Sequence, residues 1–165
     1  MTDTLTQEMD LLQAGEITDI PASDVPFVPK AHFTSKSREA RISNVWAEFR
    51  QRFFGKTEEA SPAVSLRTYK LQKAAADAPI IEALGGESRV ETSIASVFAL
   101  ITGQPYGQPG PLQVNGYANI FYVRDKDDVL CAVRVGWDEE GWIVDAIPVR
   151  DPLAWNGQHQ VFCPT

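Results

Sequence analysis

The feature that most constrains the fold is a hairpin pattern near the C-terminus, GWDEEGWIVDAIPV (136–149). Strand-forming residues lie on both sides of DEEG (138–141), and a glycine at the end of a four-residue loop supplies the positive φ that such a loop needs. Trp137 is then expected opposite Trp142, so that paired residue numbers sum to 279. A loop of odd length would shift this register by one residue and mix the two faces of the hairpin.

This register divides the predicted hairpin into two faces. Alternation places apolar residues, Val135 and Val144 among them, on a first face, while Arg134 pairs with Asp145 on the second face. The preceding turn sequence, RDKDDV, interpreted in the same way, makes paired numbers sum to 253 and places Asn119 beside Arg134. The second face is therefore predicted to carry a polar row of Asn119, Arg134 and Asp145 within otherwise apolar surroundings.

The whole chain predicts an α+β fold in which three N-terminal helices pack on a small antiparallel β-meander of three to four strands. Helix starts are indicated by Ser37, by Ser61-Pro62 and by the sequence SRVE at 88–91. With apolar residues at helical spacing, these signals predict helices over about 38–55, 61–76 and 88–102. Period-two patterns predict strands at about 116–124, 129–137, 142–149 and 159–163.

Proline and glycine divide the 165 residues into a tail and one domain. Residues 1–33 are acidic, contain several prolines and show no period, which predicts an irregular N-terminal tail. Residues 34–165 then form a single α+β domain with a helical part (37–102), a glycine- and proline-rich linker (103–113) and a β part (114–165). Because the tail also carries apolar residues, its second half is expected to lie against the domain or a partner.

Charge is distributed unevenly along the chain. Residues 1–29 carry −6, residues 30–73 carry +6 and residues 74–165 carry −7, within a net charge of −7. An acidic chain disfavours non-specific binding to nucleic acid. The apolar stretches are too short to span a bilayer, no secretory signal is expected at the N-terminus, and two cysteines make no disulfide framework, so a cytoplasmic location is predicted.

Both faces of the predicted sheet are apolar, and three modest helices can cover one of them. We therefore expect a non-enzymatic protein–protein interaction or assembly module that binds a protein partner or a second copy of itself. The contacts would come from the second face and from the tail, through Phe121, Val123, Leu130, Ile147, Val149, Phe27 and Phe33.

A ligand-binding or enzymatic domain is the first alternative. The guanidinium of Arg134 can form bidentate hydrogen bonds with a small anion or carboxylate, and Asn119 and Asp145 are expected beside it. Tyr117 is expected to cover Gly136 at the end of this row. The alternative therefore places a ligand site on the second face of the sheet.

Neither a catalytic group, a cofactor nor a metal is assigned from the sequence. His159 and Cys163 have the spacing of half a zinc site, and no second half accompanies them. Cys131 falls on the face opposite Asp145, which disfavours a thiol triad with His159. Binding of nucleic acid or another polyanion by the basic helices of residues 38–73 is the second alternative, with contacts from Arg41, Arg50, Arg52 and Lys56.

Overall fold

The computed structural model describes residues 10–149 and 153–165. Its strands, numbered in chain order, are β1 (Leu12–Ile20), β2 (Ile42–Val45), β3 (Val64–Leu71), β4 (Ala75–Ala76), β5 (Asn119–Arg124), β6 (Leu130–Trp137), β7 (Trp142–Pro148), β8 (Ala154–Trp155) and β9 (Gln160–Pro164). Seven of them form one mixed sheet in the order β1-β3-β9-β5-β6-β7-β2, and β4 pairs with β8 in a separate ribbon. Most neighbours in the sheet are antiparallel, whereas β2–β7 and β5–β9 are parallel.

Five helices lie in the described part of the chain, and all are short. They are α1 (Pro29–His32), α2 (Ala47–Phe53), α3 (Asp77–Ala83), α4 (Glu87–Val90) and α5 (Ile94–Gly103). The predicted architecture of three helices on a meander of three to four strands is therefore wrong. The chain is sheet-dominated, because segments with helical or irregular signals pair as strands.

Residues 61–76 account for the largest difference. Their sequence predicts a helix, but Val64–Leu71 form β3, which lies between β1 and β9. The stretch VSLRTYKL contains β-branched and aromatic residues that suit a pleated strand. Because apolar residues in a short stretch fit either period, the two available neighbours decide the outcome.

The predicted first helix and the predicted tail also supply strands. Ile42–Val45 form β2, and only Ala47–Phe53 are helical, after Trp46 adopts an extended ψ of 153°. Within the stretch predicted as a tail, Leu12–Ile20 form the edge strand β1 and pair antiparallel with β3, with a bulge between Ala14 and Ile17. Local pattern does not identify either strand, since each acquires its hydrogen bonds from a partner far along the chain.

The predicted third helix is divided into two. The sequence SRVE contributes to α4, which ends at Val90, and Glu91 then forms a bridge with Tyr122. A new helix, α5, begins after Ser93, whose hydroxyl accepts a hydrogen bond from the backbone N–H of Ser96. The N-terminal capping residue of α5 is therefore Ser93, and not the serine of SRVE.

The register of the β6–β7 hairpin is confirmed. Trp137 lies opposite Trp142 and Arg134 opposite Asp145, so paired numbers sum to 279. Gly141 ends the loop with a φ of 152°. A Cβ at this glycine would lie 2.7 Å from the backbone nitrogen of Ser43, so the glycine also lets β2 approach the hairpin.

The register of the β5–β6 hairpin differs from the prediction by one residue. Arg124 lies opposite Leu130 and Asn119 opposite Val135, so paired numbers sum to 254, not 253. The five residues between Arg124 and Leu130 are held by Asp125, whose Oδ1 accepts backbone N–H groups at 2.8 and 3.0 Å. Because this loop has an odd number of residues, every β5 side chain lies on the face opposite to the predicted one.

Helices and loops of the same chain pack against both faces of the sheet. The first face packs against α2 and α5 through side chains such as Phe49 and Ile101. The second face packs against α3 through Ile80 and Ile81, and against Trp155 of β8. Each such buried side chain contributes about 1.5–3 kcal/mol to stability.

Among the described helices, none combines the length and the apolar character needed to cross a membrane.

Candidate functional site

The predicted pair of Arg134 and Asp145 forms on the second face. Arg134 Nη2 lies 3.1 Å from Asp145 Oδ2, with 39% of the arginine side chain and 13% of the aspartate side chain exposed. Asp145 Oδ1 also accepts the backbone N–H of Ala146 at 2.8 Å. Since part of the guanidinium still faces solvent, Arg134 keeps donors for a further acceptor.

Asn119 is not brought to this pair. The shifted β5 register places it on the first face, where its side chain is fully buried. Its amide donates to the carbonyls of Gln113 and Val135, and its Oδ1 accepts from Gln160 Nε2 at 2.7 Å. With these partners, Asn119 joins loop 104–118 to three strands and has no contact with Arg134.

Ile120 takes the place of Asn119 opposite Arg134. The charge of Arg134 also reaches the imidazole of His159, which packs against two aromatic rings. Tyr117 is 41% exposed and packs edge-on against His159, with ring centroids 5.7 Å apart. Trp155 packs against the same imidazole at 5.9 Å. We call these residues the Arg134 patch: Tyr117, Arg134, Asp145, Trp155 and His159.

The imidazole of the Arg134 patch is held neutral. His159 Nδ1 accepts the backbone N–H of Ala118 at 2.8 Å, so its proton lies on Nε2. Burial, together with the charge of Arg134, lowers the pKa of His159. A Cβ on Gly136 would meet no atom within 4 Å, so Tyr117 does not cover this glycine and the sheet face stays open there.

The sequence signal for His159 is weak. Its spacing from Cys163 suggests half a zinc site, but no group of three or more metal-ligating side chains occurs in the described residues. Nothing in the sequence connects His159 with Arg134, because β9 reaches this position only through parallel pairing with β5.

A buried carboxyl group that the sequence does not reveal lies behind this patch. Asp77 is 1% exposed, and its Oδ1 accepts Tyr122 OH at 2.8 Å and Trp155 Nε1 at 2.7 Å. Its Oδ2 has no hydrogen-bond partner among the described residues. Burial raises the pKa of Asp77 despite the two hydrogen bonds, which act in the opposite direction. The group joins α3, β5 and β8.

The residues expected to contact a partner are mostly inside the molecule. Ile147 and Val149 are half-buried, and Val149 lines a hollow of about 560 Å³ beside α3 and α4. Phe27 is half-buried and stacks on His32. The others are buried: Phe33, Phe121, Val123 and Leu130.

Phe27 lines a groove on the surface of the N-terminal segment. The groove has a volume of about 420 Å³ and runs between residues 20–27, residues 61–64 and the outer side of α5. A smaller hollow of about 190 Å³ continues it and shares Ser61, Pro62, Val64 and Ser96. We call the larger hollow and its continuation the tail groove.

The four predicted polyanion contacts separate into two pairs. Arg52 binds Glu48 at 3.1 Å and Asp125 at 3.0 Å, and Lys56 lies 3.5 Å from Glu58. Neither Arg41 nor Arg50 has a carboxylate partner in the described part of the chain. Half of the predicted basic surface is therefore engaged in holding the fold together.

Comparisons of the chain with models of protein families, with curated proteins and with solved structures gave no match.

Proposed function

We propose that the protein is an interaction or assembly module that binds an apolar segment of a protein partner, or of a second copy of itself, in the tail groove. The supporting observation is an exposed apolar surface within the groove. Val25 is 66% exposed there, with Phe27, Phe98 and Ala99 as further apolar walls. Exposed apolar patches bordered by polar residues are typical of interaction sites.

The groove is formed before any partner arrives. Backbone hydrogen bonds join Ser23 to Ser61 and Phe27 to Glu58, at 2.8–3.1 Å. Glu58 in turn accepts the backbone N–H groups of Ile94 and Ala95 at the start of α5. Because the walls are fixed in this way, little conformational entropy is lost on binding.

Charge within the groove favours an apolar partner. Its walls are mostly apolar or hydroxyl-bearing, with two acidic residues, Asp24 in the larger hollow and Glu91 in its continuation. Both hollows are small, at about 420 and 190 Å³, so a complete interface would extend beyond them to about 800 Å² on each partner. The exposed Val28 lies next to the groove in sequence and offers one such extension.

Substitution of Val25 tests this proposal. Val25→Asp puts a charge into the apolar contact and is expected to weaken association at least about tenfold. Light scattering over a concentration series measures self-association, and quantitative pull-down from the source cells measures partner binding. Tyr106→Asp is the matched control, because Tyr106 is 68% exposed and does not line the groove.

The proposal would be contradicted by two results together. The unmodified chain would be a monomer at all concentrations, and Val25→Asp would recover the same proteins as the unmodified chain. Loss of association in both variants would also contradict it, since a general effect of added negative charge would then explain the result.

Ligand binding at the Arg134 patch is a second candidate, favoured by the open sheet face beside Gly136 and the neutral imidazole next to it. A small carboxylate would accept hydrogen bonds from Arg134 and His159. Arg134→Ala should then abolish binding of such a ligand, with Asp128→Ala as a surface control, and unchanged binding would remove this candidate.

A further inference from the structure

A further hollow, lined mainly by polar residues, lies at the β2 edge of the sheet, opposite the β1 edge. It has a volume of about 360 Å³ and is bounded by α1, the loop that follows it, β2 and α2. Phe33 and Phe54 form its apolar base. We call it the basic pocket, and its polar wall consists of Lys30, Thr34, Ser35, Ser43, Asn44 and Arg50.

The two cations of the basic pocket have no ion-pair partner among the described residues. In contrast, Arg52, on the same helix as Arg50, is paired with both Glu48 and Asp125. Lys30 and Arg50 are both exposed and line the same hollow. Two unneutralised cations in one concave site attract an anion.

One carboxylate lies at the border of the pocket. Ser43 Oγ donates to Asp138 Oδ1 at 3.3 Å, so one negative charge lies next to this part of the pocket wall. An occupant with a single negative charge would therefore be attracted less strongly than one with two.

We propose that the basic pocket binds the phosphate group of a small organic phosphate monoester. A phosphate monoester carries about two negative charges at neutral pH, which match Lys30 and Arg50. The guanidinium of Arg50 can form bidentate hydrogen bonds with phosphate oxygens, and the hydroxyls of Thr34 and Ser35 supply further donors. Phe54 and Val45 line the same hollow and can contact the carbon part of the ligand.

The size of the pocket fits this class of ligand. Small-molecule sites occupy about 300–1,000 Å³, and 360 Å³ lies at the lower end of that range. The basic pocket shares no lining residue with the tail groove, so its ligand would be bound independently of a protein partner there.

Calorimetric titration of the full chain with phenyl phosphate tests the proposal, at constant ionic strength. We expect saturable binding at one site, and a loss of about tenfold in affinity in each of Arg50→Gln and Lys30→Gln. Benzoate, which has the same ring and one charge, should bind at least about tenfold more weakly than phenyl phosphate.

Lys73→Gln is the matched control, because Lys73 is an exposed lysine outside the pocket and its loss changes the net charge equally. Its affinity for phenyl phosphate should equal that of the unmodified chain. Amide shifts in the NMR spectrum should move at Thr34, Ser35 and Ser43.

Absence of saturable binding up to about 10 mM phenyl phosphate would overturn the proposal, because this concentration exceeds the dissociation constant of even weak specific complexes. Equal losses in Lys73→Gln and Arg50→Gln would overturn it too, as would amide shifts confined to the Arg134 patch. Both substituted pocket cations are exposed, so urea unfolding of the variants is expected to match that of the unmodified chain.

Discussion

The two hairpins at the centre of the sheet are joined by turns that look alike in sequence and behave differently. In the β6–β7 turn, Asp138 Oδ1 accepts the backbone N–H groups of Glu140 and Gly141, both at 3.0 Å, and its remote contact is a longer, exposed hydrogen bond of 3.3 Å from the Ser43 hydroxyl. In the β5–β6 turn, Asp125 also accepts two backbone N–H groups, but its Oδ2 binds Arg52, which lies 73 residues away. When a buried ion pair with a remote residue helps to set the geometry of a turn, that geometry cannot be predicted from the sequence of the turn alone.

The comparison predicts the largest effect for Asp125→Ala. The change leaves Arg52 without its buried partner and two backbone N–H groups without an acceptor, so stability should fall by about 3 kcal/mol. Asp138→Ala removes two backbone hydrogen bonds and the long contact from the Ser43 hydroxyl at a more exposed site, and should cost about 1 kcal/mol. Urea unfolding of both variants measures the difference. Equal losses would mean that the remote ion pair does not distinguish the two turns.

The next largest effect is expected at Gly141. An added Cβ would meet the backbone nitrogen of Ser43 in β2 at 2.7 Å and the carbonyl oxygen of Arg41 just before it at 2.8 Å. Because the φ of 152° also disfavours other residues, Gly141→Ala should cost about 2 kcal/mol. Gly136 in β6 lacks both constraints, and Gly136→Ala should stabilise the protein by up to about 1 kcal/mol. Thermal unfolding distinguishes the two signs, and unchanged or increased stability of Gly141→Ala would refute the assigned role of β2.

The pH dependence of stability distinguishes Asp125 from the other buried carboxyl group, Asp77. Burial alone would raise the pKa of Asp125, but hydrogen bonds from Val129, Asp127 and Arg52 hold it below the ordinary value. Its contribution is therefore present above the unfolded-state pKa of about 3.9 and is lost as the pH falls through the lower folded-state pKa.

Asp77 should act in the opposite direction, since burial raises its pKa in the folded state. Its contribution is fully present below the unfolded-state pKa of about 3.9 and is lost as the pH rises through the folded-state pKa. Relative to Asp77→Asn, the unmodified chain should thus lose stability as the pH rises above about 4. Relative to Asp125→Asn, it should lose stability as the pH falls below about 4. Urea unfolding at a series of pH values measures both slopes, and parallel slopes would contradict the assignments.

The smallest expected effect concerns the two non-glycine residues with positive φ in these turns. Glu139 has a φ of 75° and Asp128 a φ of 64°. Aspartate tolerates this region better than glutamate, so Glu139→Gly should stabilise the protein by up to about 1 kcal/mol and Asp128→Gly by less. Chemical denaturation with closely spaced data points resolves the difference, and a larger gain from Asp128→Gly would reverse this part of the comparison.

Several parts of the candidate sites could be predicted from local pattern. The Arg134–Asp145 pair follows from alternation and from one glycine-closed turn, and its partner strand is adjacent in sequence. His159 could not be predicted to join the pair, because its strand arrives by a parallel pairing that no local signal specifies. The basic pocket combines α1, β2 and α2, and its two cations appear unrelated in the sequence because Lys30 falls in the predicted tail and Arg50 in the predicted first helix.

The sequence by itself determined the β6–β7 hairpin, the Arg134–Asp145 pair and the apolar character of both sheet faces. Only the tertiary structure decided that residues 64–71 are a strand, that Asn119 lies on the first face and that α3 and Trp155 cover the second. The physical reason is the range of the interactions involved. Side-chain alternation and turn geometry act within a few residues, whereas strand pairing, the Arg52–Asp125 contact and the burial of Asp77 depend on residues brought together by folding.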